Sequence, residues 1–403
     1  MKNGLITLML LIITAAAFSQ TDIKGNITDE RNEPLEAASI YLNNTTLGTV
    51  SDEKGNFSLK VKKGNYDLVI SYIGYKTKYI KINTNKKIDF LNIQLILDDN
   101  VLDEVVLKKT DYNLKWKNNL YTFKKLFLGR TMLASKCKIL NPKVLHFNFD
   151  KKTATLSAVA EEPLKIKHDG LGYLISYDLV SFSLKGNSLK YVGYTKFEDL
   201  KGGKSKQKRW KKNRLKAYNG SVMHFVRSLR TKKLKKEGFV VNQFRRFINN
   251  EKPSKLKIRA ARELVKKHRI VGSNKKTLSS SKELDDAIAF LQSSKLLKFK
   301  DSLYKKNVSY RNMIAKSKGE ILLYFSDFLN ITYLNEVEEV NYPSKDHENP
   351  SNGQISNITL LGKYAVLDPS GAIVNPFNVF VEGYWGFESF ANMLPTDYQP
   401  IKD

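Results

Sequence analysis

The chain of 403 residues has one cysteine and five histidines, and both shortages exclude classes of protein. With Cys137 alone, no intramolecular disulfide can form, and we interpret this residue as a buried structural thiol rather than a reactive one. No histidine begins a His-x-x-Glu pair, and none has a second histidine four residues later. The sequence therefore lacks both common zinc-peptidase patterns, and we expect no metal and no cofactor.

Other catalytic signatures are also missing. The sequence contains no Gly-x-Ser-x-Gly elbow, no phosphate loop and no dinucleotide fingerprint. Ser221 and His224 are spaced as a nucleophile and a base, but a serine capping a helix explains them more simply. We leave enzyme activity open and favour its absence. The alternative is a hydrolase of envelope polymers in which two of His146, His168 and His224 converge with a carboxylate.

Apolar runs of about 20 residues, the length of a membrane-spanning helix, are absent. The N-terminus has a charged start, a short apolar run from Leu5 to Phe18 and small residues at its end. This pattern predicts a signal peptide over residues 1–19. We therefore expect an exported protein that is periplasmic, associated with the outer membrane, or secreted.

Acidic residues are scarce between positions 201 and 280, where 27 Lys and Arg face three acids. The net charge of the whole chain is +28, so this segment holds most of it. It contains an aromatic residue among cations, which suits contacts with phosphate or carboxylate groups. The candidate anion-binding residues are Lys208, Arg209, Trp210, Lys211, Lys212, Arg214, Arg227 and Arg230.

The partner that this charge predicts depends on location. For an exported protein we expect an anionic envelope polymer, a lipid headgroup or an acidic protein, with a glycan as a further possibility and no nucleic acid. The alternatives are solvated helix lysines and internal pairing with Glu336, Glu338 and Glu339. Exposed pairs contribute only about 0–1 kcal/mol each, so we favour an external anion.

The N-terminal region shows the alternation of short β-strands. Phe57, Leu59 and Val61 alternate with polar residues, and a similar run from Tyr66 to Ile70 follows Gly64-Asn65. This spacing predicts a hairpin at Gly64-Asn65 and a plain turn from Asp52 to Asn56. Several such strands, separated by turns, predict a small β-sandwich.

This region resembles the carboxypeptidase-like regulatory domain. The resemblance runs from Ile23 to Leu97 and rests on a shared motif: Gly25, Pro34-Leu35, Gly48-Thr49, Asp52, Gly55 to Phe57 and Tyr72 to Tyr75. It implies a transthyretin-like sandwich without catalytic residues, of a kind common in exported Bacteroidetes proteins, including TonB-dependent receptors. Ala37 departs from the family, which usually has Gly there. Leu102 to Leu107 also resembles the strand that follows this domain in the receptors.

The remaining chain predicts a larger α+β domain of antiparallel strands with a basic helical insertion. The expected division is a sandwich at 20–99, a linker at 100–117 and the α+β domain at 118–403, with its basic segment at 201–280. Helices are predicted from Leu114 to Leu128, from Lys204 to Tyr218, from Ser221 to Gly238 and after Ser280. The aromatic residues Tyr384, Trp385, Phe387 and Phe390 predict core packing, with sugar stacking in a carbohydrate-binding module as the alternative.

Overall fold

The computed structural model describes residues 21–98, 111–186, 188–272, 282–343 and 352–401. The predicted signal peptide, the strand from Leu102 to Leu107, most of the expected linker and the capping residue Ser280 lie outside these ranges. Within them, every helix is too short or too polar to cross a membrane.

The N-terminal region is a sandwich of two sheets. Its strands are β1 (Thr21–Thr28), β2 (Ser39–Leu42), β3 (Gly48–Val50), β4 (Asn56–Val61), β5 (Asn65–Ser71), β6 (Lys78–Asn83) and β7 (Leu91–Gln94). One sheet has the order β4-β1-β7 and the other β3-β2-β5-β6. Both contribute to one core, in which Ile23 and Phe57 from the first sheet meet Ile40 and Leu68 from the second. The predicted sandwich is therefore present.

The predicted hairpin at Gly64-Asn65 is wrong. Strand β4 pairs with β1, whereas β5 pairs with β2 and β6, so these two residues carry the chain from one sheet to the other. Neither residue has a positive φ, which a tight two-residue hairpin requires. Alternation along two neighbouring strands identifies each strand but not its partner.

Two other positions in the sandwich can be compared with the sequence: the turn from Asp52 to Asn56 and the backbone at Ala37. The Asp52 side chain accepts backbone hydrogen bonds from Lys54 at 2.9 Å and from Asn56 at 2.8 Å, and Gly55 adopts φ +76°. The predicted plain turn is confirmed. Ala37, where the family usually has Gly, adopts φ +60°. Ala37 therefore adopts a left-handed conformation that a glycine would adopt more easily, because glycine has no Cβ.

An antiparallel sheet follows the helix α1 (Leu114–Phe127). Its strands are β8 (Cys137–Ile139), β9 (Leu145–Asp150), β10 (Thr155–Ala160), β11 (Leu164–His168), β12 (Tyr173–Lys185) and β13 (Ser188–Asp199). The long strand β12 pairs with β13 along one side and with β11 and β10 along the other. Phe123 and Phe127 of α1 are fully buried in the core of this sheet.

The described ranges contain five further α-helices: α2 (Lys204–Tyr218), α3 (Val222–Arg230), α4 (Lys255–Gly272), α5 (Lys282–Ser293) and α6 (Tyr384–Glu388). The bounds of α2 match the prediction. Helix α3 ends at Arg230 rather than near Gly238, so the lysines from 232 to 236 lie beyond it. Gly238 instead has φ +85° in the turn before the next strand. A glycine can end a helix or open a strand, and its position alone did not distinguish the two.

The last part of the chain forms two more sheets around a third core. The strands are β14 (Phe239–Ile248), β15 (Phe299–Lys305), β16 (Ile314–Ser317), β17 (Glu320–Leu323), β18 (Phe328–Tyr333), β19 (Gln354–Leu360), β20 (Ala365–Leu367) and β21 (Val379–Gly383). The sheet orders are β15-β14-β18-β19-β21 and β16-β17-β20. Because β14 lies inside a sheet, the segment 201–280 is not the purely helical insertion that its composition suggested.

The sandwich is held against the rest of the chain by polar contacts. The Thr46 backbone donates a 3.0 Å hydrogen bond to Asp397, and the Thr46 hydroxyl donates a second one to the same carboxylate. The Tyr79 ring stacks on Tyr194 with centroids 3.9 Å apart, and its hydroxyl donates to Asp178. The first contact holds the sandwich against the C-terminal segment, and the second holds β6 beside β12 and β13.

Candidate anion-binding surface

Helix α2 carries eight basic residues and no acidic one. Seven of these side chains are exposed and form what we call the cationic face: Lys204, Lys206, Lys208, Arg209, Lys211, Lys212 and Lys216. None of them forms an ion pair or a side-chain hydrogen bond with another described residue. The face therefore presents positive charge that the described part of the protein leaves without a bonded counterion.

The opposite side of α2 is anchored to the turn between β11 and β12. Trp210 Nε1 donates to the Asp169 carbonyl at 2.8 Å, and Asn213 Nδ2 donates to the Gly170 carbonyl at 2.7 Å. Arg214 continues the series, with Nε 2.7 Å from the Leu171 carbonyl and Nη2 3.1 Å from that of Gly172. Three side chains thus satisfy four consecutive carbonyl groups, residues 169–172, which fixes the helix orientation.

Trp210 is buried and does not offer the predicted stacking surface. Only 5% of it is exposed. A Cβ built at Gly172 would lie 2.2 Å from the indole ring, and one built at Gly202 would lie 2.5 Å away. The ring fills the space that these two glycines leave, so it cannot stack on an external ligand. The interpretation of Trp210 as a ligand-stacking residue is wrong, because helical spacing turns it inward.

Three of the four candidate arginines, Arg214, Arg227 and Arg230, bind the protein itself. Arg214 also lies over the Tyr173 ring at 3.8 Å and pairs with Asp199 at 2.7 Å. Arg227 donates to three carbonyl groups, those of Ser370, Thr396 and Tyr398, at 2.7, 3.0 and 2.9 Å.

Arg230 donates to the Leu367 carbonyl. With their donors used this way, these arginines hold the turn after β11, the turn after β20 and the C-terminal segment in place. Of the eight candidates, Lys208, Arg209, Lys211 and Lys212 stay exposed, and only for these four does the anion-binding prediction stand.

Acids elsewhere in the chain neutralise part of the basic segment. Arg246 on β14 binds both oxygens of Asp301 at 2.7 Å and both oxygens of Glu382 at 2.7 and 3.0 Å. These hydrogen bonds raise the pKa of Arg246. No sequence pattern indicates this cluster, because its acids lie 55 and 136 residues away along the chain.

Two of the glutamates that the sequence offered as internal partners accept other hydrogen bonds, although Lys216 also acts on Glu336: burial raises the pKa of Glu336, and the charge of Lys216 opposes that rise. Glu336 accepts from Asn219 at 3.1 Å, and Glu339 accepts from the Met132 backbone at 2.8 Å. Both line a cavity of about 870 Å³, together with Glu388 of α6. Burial, followed by the charges of Glu339 and Glu336, raises the pKa of Glu388 to about 8. At neutral pH this buried carboxyl is therefore mostly protonated.

Ser221 and His224 each have structural partners. Ser221 caps α3, because its hydroxyl oxygen accepts from the His224 backbone at 3.2 Å while the hydroxyl donates to the Tyr218 carbonyl. His224 Nδ1 accepts from the Gly220 backbone, and its Nε2 lies 3.4 Å from Glu237. The helix-capping interpretation is confirmed.

His146 and His168 have partners of their own, so the convergence that the hydrolase alternative requires is not seen. His146 Nε2 lies 2.6 Å from Glu161, and His168 Nε2 donates to the Ala391 carbonyl at 2.8 Å. Among the described residues, no group of three His, Cys, Asp or Glu is placed to hold a metal ion. Cys137 is half-buried rather than fully buried as expected, and burial raises the pKa of its thiol to about 12.

The C-terminal aromatic residues belong to the cores. Tyr384, Trp385, Phe387 and Phe390 are all at least nine-tenths buried, and Trp385 Nε1 donates to the Gly220 carbonyl at 2.7 Å. Core packing, the preferred interpretation, is confirmed. Trp385 is therefore not the sugar-stacking residue that the carbohydrate-binding alternative needed.

Comparison with known proteins places the sandwich in a family. Residues 23–107 match the family model of the CarboxypepD_reg-like domain. The match bears out the resemblance seen in the sequence motif and extends it to Leu107. The CarboxypepD_reg-like domain accounts for the first two sheets and leaves α1 and everything after it outside the matched residues.

The relatives with curated names share only part of this chain. It is 32% identical over 113 residues to the TonB-dependent receptor SusC of Bacteroides thetaiotaomicron, a match that covers 26% of this chain and 11% of the receptor. It is 32% identical over 109 residues to the TonB-dependent receptor P39 of Formosa agariphila, covering 26% and 10%. The chain thus spans about a tenth of the length of these receptors.

Similar solved structures include a DUF3823 family protein from Bacteroides ovatus. It is 9% identical and covers 46% of this chain and 83% of its own, with a TM-score of 0.17. A DUF3823 family protein from Parabacteroides merdae is 11% identical, covers 47% and 85%, and has a TM-score of 0.16. TM-scores this low support no conclusion about the fold of the C-terminal region.

Proposed function

We propose that this chain is a non-enzymatic protein of the bacterial envelope whose cationic face on α2 binds an anionic envelope component. One observation carries the proposal: a helix with seven exposed cations and no acid is held in a fixed orientation by carbonyl contacts on its other side. A fixed row of cations attracts an anionic surface before contact and loses little backbone freedom on binding.

The envelope location is part of the proposal. The CarboxypepD_reg-like domain also occurs in the TonB-dependent receptors that this chain resembles, which supports export to the periplasm or to the outer membrane. In this proposal the domain is a transthyretin-like sandwich that serves in docking or spacing. The contacts of Tyr79 with Asp178 and Tyr194 hold it beside β12 and β13, and β13 is the strand that precedes α2. The contact of Thr46 with Asp397 holds it against the C-terminal segment.

The test reverses charge on the cationic face. Lys208, Arg209, Lys211 and Lys212 are changed together to Glu, and binding to phosphatidylglycerol vesicles and to purified peptidoglycan is measured at low salt. Each cation near an anionic surface contributes about 1 kcal/mol, so the four substitutions should weaken binding by roughly a thousandfold or more. Wild-type binding should also fall as salt rises, because the screening length is only about 10 Å at 0.1 M.

A control variant carries the same charge change on the sandwich. Lys60, Lys63, Lys86 and Lys87 are exposed there, and their change to Glu alters the net charge by the same amount. We expect this variant to keep most of the binding. The proposal fails if the wild-type protein binds neither anionic material at low salt, or if the two variants lose binding equally.

A further inference from the structure

A second exposed surface lies where the helical hairpin α4–α5 leaves the five-stranded sheet. Four apolar side chains there are exposed: Ile248, Leu296, Leu297 and Phe299, with Ile248 at 70% and Leu297 at 55%. We call this set the hairpin-base patch. Single exposed apolar residues are ordinary, but a cluster of them indicates an interaction surface.

Backbone contacts bring the members of the patch together. Ile248 at the end of β14 pairs directly with Phe299 at the start of β15. The next residue, Asn249, donates from its backbone to the Lys298 carbonyl at 2.9 Å and from its side chain to the Leu297 carbonyl at 3.1 Å. Residues 248–249 and 297–299 therefore form one continuous surface.

Lysines surround the apolar residues. The two ranges 249–257 and 290–300 together contain six lysines and one acid, Glu251. Glu251 pairs with Lys300 at 2.6 Å. Lys298 lies 5.0 Å from the centre of the Phe299 ring, and Lys257 lies 5.6 Å from that of Phe290. Lys252 is used internally, since it donates to the carbonyl groups of residues 294 and 296.

Mixed apolar and lysine surfaces match the chemistry of an anionic membrane interface. Apolar side chains enter the boundary between headgroups and acyl chains, while lysines extend along apolar surface and keep their ammonium groups at the phosphates. A partner protein of neutral charge would leave the excess lysines unmatched. The charge of the patch therefore favours an anionic lipid surface as its occupant.

We propose that the hairpin-base patch inserts into the surface of an anionic phospholipid bilayer. This contact is separate from the cationic face of α2, because it uses other residues and its affinity comes in part from apolar burial. Burial of apolar area depends little on ionic strength, whereas the interaction of exposed charges is screened. The patch should therefore supply vesicle binding that persists at high salt.

The experiment measures cosedimentation of the full chain with vesicles that contain phosphatidylglycerol in phosphatidylcholine, at low and at high salt. The test variant is Ile248→Ser with Leu297→Ser. Removing two apolar side chains from the interface should weaken the salt-resistant binding by about tenfold or more. Both positions are largely exposed, so folding should be preserved and is checked by circular dichroism.

A matched variant changes the same residue types elsewhere. Ile73 and Leu361 are 96% and 66% exposed, and Ile73→Ser with Leu361→Ser should leave vesicle binding unchanged. The N-terminal apolar run is present in every variant, so it cannot explain a difference between them. Charge reversal on α2 should reduce binding at low salt and spare the part that persists at high salt, which separates this proposal from the proposed function.

Three results would overturn the inference. Wild-type binding could vanish at high salt, or the two serine variants could behave alike. Sedimentation velocity could also show a dimer of the wild-type chain that only the patch variant dissociates, and a second copy would then be the true occupant.

Discussion

The anchoring role of Arg214 makes a sharp prediction, because the same helix offers a matched control. Arg214→Lys keeps the positive charge but removes the planar fork that reaches two carbonyl groups and stacks on Tyr173. Arg209→Lys is the same chemical change at an exposed position of α2. The two variants differ only in whether the guanidinium group has partners within the protein.

The expected magnitude follows from the contacts of Arg214. Each hydrogen bond from its charged donor to a carbonyl is worth about 1.5–3 kcal/mol, and the stacking on Tyr173 adds about 0.5–2 kcal/mol. The pair with Asp199 adds only about 0–1 kcal/mol, because that carboxylate is largely exposed. A lysine can retain one carbonyl contact. We therefore expect Arg214→Lys to lower the free energy of unfolding by about 3 kcal/mol.

Urea unfolding followed by tryptophan fluorescence is the suitable assay. The three tryptophans lie at positions 116, 210 and 385, outside the sandwich, so the signal reports on the C-terminal region alone. Arg209→Lys should stay within about 0.5 kcal/mol of the wild-type protein. The reasoning is refuted if the two variants shift the unfolding midpoint equally, or if Arg214→Lys leaves hydrogen exchange of the α2 amides unchanged.

Two other predictions concern the sandwich and the acid-lined cavity. Ala37→Gly should stabilise the sandwich by about 0.5 kcal/mol, because relief of the left-handed strain at φ +60° outweighs the added entropy of the unfolded chain. Slower native-state hydrogen exchange in β2 would show this stabilisation, and faster exchange would contradict it. Burial raises the pKa of Glu388 from 4.5 to about 8, so the folded chain binds more protons than the unfolded chain in this interval and its stability falls as pH rises. Glu388→Gln should flatten that decline in urea midpoints measured from pH 4.5 to about 8, and an unchanged slope would count against a buried neutral acid.

Local patterns predicted most of the elements but not their pairing. The alternation around Phe57 and Leu68 identified β4 and β5, and the lysine-rich run gave the bounds of α2. Which strands pair is decided by contacts between distant residues. The local pattern therefore predicts a hairpin at Gly64-Asn65, where the chain instead passes from one sheet to the other. The predicted helix to Gly238 failed for a related reason. Lysines and a glycine fit a helix end, and only the pairing of β14 with β18 shows that a strand follows.

The candidate site was only half predictable from composition. Counting charge selected eight residues but did not divide them into exposed and internal ones. The spacing of α2 held that information, since Trp210, Arg214, Ala217 and Tyr218 recur at helical intervals and turn inward together. Arg227 and Arg230 could not be assigned in this way. Their partners are backbone carbonyl groups at 367–370 and 396–398, which carry no signal in the sequence.

The charge pattern of α2 itself argues against a merely solvated helix. Lys204, Lys208, Lys212 and Lys216 follow one another at intervals of four residues, and each such like-charged pair destabilises a helix by about 0.2–0.5 kcal/mol. No acid in the helix relieves this repulsion, and helix stability must come from the anchors to residues 169–172. An anionic surface against the exposed side would turn each repulsive pair into two favourable contacts. Binding should therefore stabilise α2 as well as hold the protein at the surface, and slower hydrogen exchange of the α2 amides on anionic vesicles would reveal both effects together.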